Sequence, residues 1–137
     1  MAAKRRGRIT VDRNRYREYM NVAQHFYEAA RDSIELDYPT AAGVLIVHAA
    51  IAYADALCIM LSGQRSSGEN HEEAIEILET VAADDPDKRN AMNQLRRIIE
   101  EKTRVSYLGE LYSPAATRDM WKRLERFRAW ALKILTK

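Results

Sequence analysis

From Ala41 to Leu61 the chain contains no lysine or arginine. A helix with this composition has no solvent face, so it must be surrounded by lipid or by protein. The stretch is long enough to span a bilayer. It is, however, rich in alanine rather than leucine, and it includes His48 and Asp55, which are costly in hydrocarbon. The expectation is therefore a central helix buried by its neighbours, with no membrane partner. Ala42, Gly43, Ala49, Ala50, Ala52, Ala54 and Ala56 would let those neighbours approach closely.

The rest of the chain supplies them. A length of 137 residues suits one domain that can bury a core without metal or disulfide staples. With only 5 glycines and 3 prolines, few positions break a helix. Tyr16, Tyr19, Met20, Ala23, Phe26, Tyr27, Ala30 and Ile34 recur at helical spacing, predicting a helix over 12–36 capped by Asp12. Asp37-Tyr38-Pro39 ends it, and a second helix runs over 39–62 to a stop at Gly63. After a polar loop over 64–70, Asn70 and Glu73 form a capping-box pattern for a short helix to Ala83. Asp85 and Pro86 open a fourth helix over 86–107, with Met92, Leu95, Ile98 and Ile99 as its apolar stripe. Ser113 and Pro114 open the last, which packs Met120 or Trp121, Leu124, Phe127, Ala131 and Leu135 inward. No alternating pattern marks a strand. The predicted fold is all-α: an up-and-down antiparallel bundle of four main helices plus one short helix.

The net charge of +2 conceals an asymmetry, because residues 1–18 carry seven Lys/Arg against two Asp/Glu. Residues 1–11 are expected to form a basic flexible arm. Its Lys4, Arg5, Arg6 and Arg8 are either solvated or in contact with phosphate. The remainder is mildly acidic, which argues against a basic nucleic-acid domain. The single cysteine, Cys58, excludes an intramolecular disulfide and fits a reducing compartment. With no secretory leader pattern, the expected location is cytoplasmic.

Chemistry-bearing motifs are sparse. There is no GxGxxG, P-loop, GxSxG or HExxH pattern, and one cysteine with three scattered histidines predicts no metal site and no cofactor. His48 and Asp55 are two helical turns apart on one face, about 10 Å along the axis. Each therefore needs a partner from another element if buried. Lys102, which falls on the apolar stripe of the fourth helix, Arg104, Tyr107 and His71 are the candidates. They form either an internal network that fixes helix register or a ligand site.

Several segments carry a resemblance: 47–58 (Val-His-Ala-Ala-Ile-Ala-Tyr-Ala-Asp-Ala-Leu-Cys), Gly63, Gly68 to His71, Ala74 to Leu78, Glu101 to Tyr107, and Arg126-Phe-Arg-Ala-Trp-Ala-Leu. Their order over roughly residues 15–135 resembles the compact bacterial HEPN domains (higher eukaryotes and prokaryotes nucleotide-binding). The resemblance makes 12–137 a single HEPN-like domain. It implies a homodimer, a nucleotide or RNA ligand, and a small nucleotidyltransferase as antitoxin partner in a toxin–antitoxin pair. Some members cleave RNA without metal through an R-x4-6-H motif near the start of the last main helix. Here Arg104 stands in that region with no histidine after it. Arg65 and His71 fit the spacing, but lie between the second and third helices.

The expectation that follows is a non-catalytic HEPN-like binding or regulatory module. Its cleft would be lined by His48, Asp55, His71, Lys102, Arg104 and Tyr107. Lys102 or Arg104 would meet phosphate and Tyr107 would stack a base. One alternative is an enzyme, a metal-independent endoribonuclease toxin that uses Arg65 and His71. Another is a structural protein–protein interaction bundle that docks through the helix bearing Trp121 and Trp130.

Overall fold

The computed structural model of the chain describes residues 7–68, 70–108 and 112–137, with 103–108 described by backbone alone. The architecture is an all-α bundle. Four long helices, α1 (Tyr16–Glu35), α2 (Pro39–Ser62), α4 (Lys88–Leu108) and α5 (Pro114–Leu135), are joined by a short α3 (Glu72–Val81). Two three-residue strands, β1 (Arg8–Thr10) and β2 (Gln64–Ser66), accompany them.

The segment without Lys or Arg is the axis of the bundle. Every residue of α2 from Ala49 to Ile59 is buried, and α1, α3, α4, α5 and β2 all pack against it. Leu57 is fully enclosed, and truncating such a leucine to alanine costs about 2–5 kcal/mol. By length and composition α2 is apolar enough to cross a membrane, with mean hydropathy 2.2, yet 72% of that apolar window is buried by the protein itself. Small residues permit this enclosure. At Gly43 an added Cβ would lie 2.0 Å from the Tyr112 ring, so only glycine admits that aromatic side chain.

The other long helices contribute their apolar stripes. α1 buries Ala23, Tyr27 and Ala30. α4 buries Ala91, Met92, Leu95, Ile98 and Ile99, and α5 buries Met120, Leu124, Phe127, Trp130, Ala131 and Leu135. Two aromatic residues proposed as a docking face are otherwise engaged. Trp130 is 5% exposed, and Trp121 stacks on Tyr27 with centroids 4.9 Å apart.

Local signals set the helix ends. Asp12 accepts from the Asn14 N–H at 2.9 Å, but it caps a 3-10 turn over Arg13–Arg15, so α1 begins only at Tyr16. Ser113 accepts from the Ala116 N–H at 3.1 Å and caps α5. Asp85 accepts from the N–H groups of Asp87 and Lys88 at 2.8 and 2.9 Å, and α4 starts two residues after Pro86. The capping box expected at α3 is not formed. The N-cap residue is His71, without a side-chain cap bond, while Glu73 turns to pair with Arg8.

That ion pair also corrects the picture of the N-terminal arm. Arg8, Ile9 and Thr10 pair antiparallel with Ser66, Arg65 and Gln64, and Val11 is buried. Residues 8–11, part of the segment expected to be a flexible arm, are therefore paired or packed. Arg8 is committed to Glu73 rather than free for phosphate. Lys4, Arg5 and Arg6 lie outside the described residues. Strands of three residues are too short to show alternation, which is why the loop composition of 64–70 concealed one.

Candidate anion-binding site

A turn builds the site. Gly63 closes α2 in the left-handed conformation (φ 72°), its N–H bonded to Ile59 O at 2.9 Å. The chain then reverses into β2, and the Val11 N–H bonds to Gly63 O at 2.8 Å, pinning β1 alongside. This reversal lays Arg65 and Ser66 back along the α2 residues that precede the turn.

Ser66, 1% exposed, donates from Oγ to Asp55 Oδ1 at 3.0 Å. Asp55 is 7% exposed, and burial raises its carboxyl from 3.8 to about 6, against opposing effects of the Ser66 hydrogen bond and the Arg65 charge. The partner expected from α4 or His71 thus comes from β2 instead.

Arg65 donates from Nη1 to the Ser66 carbonyl at 2.8 Å, and its guanidinium lies 5.8 Å from the centroid of the Tyr19 ring. Its Nε is buried and has no hydrogen-bond partner. His71, at the start of α3, is half-buried, and its Nδ1 is likewise buried without a partner. Buried polar atoms are nearly always paired, so two orphans in this corner call for an explanation.

The field at His71 is positive. Burial, then the charges of Lys102, His48 and Arg65, push its imidazole down to about 4. Lys102, half-buried on α4, also lowers His48, after the larger effect of burial. His48 is an exposed residue whose ring stacks on Phe26 with centroids 5.4 Å apart, so it forms the outer edge of the cluster.

Of the cleft residues read from sequence, the fold therefore brings His48, His71 and Lys102 within electrostatic reach of one another. Arg65 links Asp55 to them. The side chains of Arg104 and Tyr107 lie outside the described residues. Two members had no sequence signal: Ser66, one serine in a polar loop, and Tyr19, one aromatic among several on α1.

Other groups are structural. Burial, with Asp55 adding to it, pushes the Cys58 thiol well above its usual value, and its Sγ lies 3.7 Å from Ala74 O. His25 is exposed. A groove of about 520 Å³ between α3 and α4 holds Lys88 and Arg96, but both are paired, Lys88 with Asp84 and Arg96 with Glu79. Among the described residues no group of three His, Cys, Asp or Glu side chains is placed to hold a metal.

No family model, curated protein or solved structure matches this chain.

Proposed function

We propose that the chain is a non-catalytic HEPN-like binding module whose ligand is the phosphate of a nucleotide or RNA, taken at the Arg65–His71–Lys102 corner. The buried, unpartnered Arg65 Nε and His71 Nδ1 inside a positive field carry this proposal. An oxyanion is the ligand that would offset such a field and accept hydrogen bonds there. Tyr19, beneath Arg65, offers a ring face beside the site. Homodimerisation and a nucleotidyltransferase antitoxin partner belong to the same proposal and rest on the family resemblance.

A second function shares these residues. Held down to about 4, the His71 imidazole is a weak base, so this reading stands second; in it the unprotonated ring, within electrostatic reach of Arg65, would accept a proton from a ribose hydroxyl. That would make the chain a metal-independent endoribonuclease. One assay separates the two: labelled tRNA and nucleotides are incubated with the protein and with Arg65→Ala and His71→Ala. Binding without cleavage, lost in Arg65→Ala, is the expected result. Cleavage abolished in His71→Ala would establish the enzyme. Neither binding nor cleavage would refute the proposed ligand class.

A further inference from the structure

We propose that this corner binds its oxyanion together with one proton: the His71 imidazole takes up the proton from solvent, and it and Arg65 Nε donate to the bound anion. This rests on the phosphate-binding function proposed above and adds its regulation.

The geometry sets the conditions. Arg65 Nε and His71 Nδ1 are both buried and both without a partner. Arg65 is a permanent donor, because guanidinium does not titrate in the physiological range. His71 contributes one donor when neutral and two when protonated. What keeps it neutral is burial, then Lys102 of α4, His48 of α2 and Arg65 of β2. No carboxylate on its own helix offsets them: Glu73 is paired with Arg8, and Glu72 is exposed. On α2, Asp55 is occupied by Ser66. A bound anion would supply the missing counter-charge and reverse the balance at His71. By linkage, whatever raises the proton affinity of His71 on binding must make binding tighter as pH falls.

Neighbouring charges point the same way. The Lys88 ammonium reaches the Glu79 and Ala82 carbonyls and the Asp84 carboxylate, so the α3–α4 groove already carries its own counter-charges. Among the described residues no carboxylate is paired with His71.

The test is an NMR titration of the His71 ring in the full chain from pH 4 to 8, alone, with sulfate, and with a single-stranded oligouridylate. Neither probe titrates in that range, so any coupled proton belongs to the protein. In the free protein the His71 transition is expected near 4. With a bound probe it should move to about 6.5, and affinity should tighten by about tenfold from pH 7.5 to 5.5. A shift with both probes identifies a free oxyanion site, and a shift with oligouridylate alone identifies a nucleic-acid backbone site; either supports the proposal. Binding of a probe with the His71 transition unmoved overturns proton coupling and leaves the phosphate-binding function standing. Failure of both probes to bind overturns both. Lys102→Gln provides a check without ligand: removing that charge should raise the His71 transition in the free protein, and no rise would refute the assigned field.

Discussion

Arg128 of α5 and Arg65 of β2 are both partly buried against tyrosine rings beside the C-terminal half of α2, and only Arg128 has its Nε paired. Arg128 lies 3.9 Å from the Tyr27 centroid, donates from Nε to the Tyr53 hydroxyl at 2.9 Å and from Nη2 to Gln24 Oε1 at 3.0 Å. Tyr53 in turn donates to Gln24 at 2.9 Å, and Tyr27 donates to Glu125. The network closes on itself and ties α1, α2 and α5 together. Arg65 makes one hydrogen bond, to the Ser66 carbonyl, and leaves its buried Nε unpaired. Near identical chemistry thus serves two ends. A closed set of donors and acceptors fixes helix register, whereas an open one keeps binding capacity in reserve at some cost to stability.

The sharpest way to break the comparison is Arg128→Met. It removes the charged donor to the hydroxyl of the fully buried Tyr53 and a second one to Gln24, and should lower stability by about 3 kcal/mol in urea denaturation. Phosphate binding by the folded fraction should be unchanged. A loss below about 1 kcal/mol would mean that the network is ornamental.

Asp55→Asn should act in the opposite sense and through pH. A carboxyl raised from 3.8 to about 6 on folding contributes stability that is fully present below 3.8 and lost as pH rises through 6. At about 1.4 kcal/mol per tenfold, ionising Asp55 at neutral pH costs roughly 3 kcal/mol, which the amide avoids. The variant's advantage over the parent should therefore grow between pH 4 and 7 in thermal or urea unfolding. A constant difference across that range would show that Asp55 is not buried as a neutral acid.

His71→Ala should remove an acid sensitivity of the reverse sign. With its folded value depressed to about 4, His71 contributes stability present above 6.5 and lost as pH falls toward 4. Asp55 and His71 therefore oppose each other between pH 4 and 6, and the parent's stability curve should be flatter there than that of either variant. If both variants keep the parent's profile, neither group is shifted.

The smallest stability effect belongs to Arg65→Met. Its single carbonyl hydrogen bond predicts a loss under about 1 kcal/mol, while oligouridylate binding should weaken by tenfold or more. Loss of stability comparable to that of Arg128→Met would place Arg65 in the structural class after all.

The bundle was legible because its signals are local or periodic. The cation-free stretch over 41–61, the apolar stripes of α1, α4 and α5, Gly63, Ser113 and Asp85 each act on the chain's own neighbourhood. His48, His71 and Lys102 were recognised as polar groups out of place on or beside apolar helices, and their mutual field follows from packing those helices. The ribbon was not legible, since three residues per strand carry no period. Arg128 was equally hidden: it is one of many cations on α5, and only contact with Tyr27, Tyr53 and Gln24 distinguishes it from Arg126.

By itself, then, the sequence determined that α2 must be enclosed, that four amphipathic or capped segments would enclose it, and which ionisable groups would need partners. Only the tertiary structure decided who those partners are. Ser66 reaches Asp55, and Glu73 takes Arg8, because a left-handed turn at Gly63 reverses β2 onto α2 and β1 onto β2. Helix periodicity is a property of a few adjacent residues, whereas pairing across 11 or 65 positions depends on how the closed chain returns on itself.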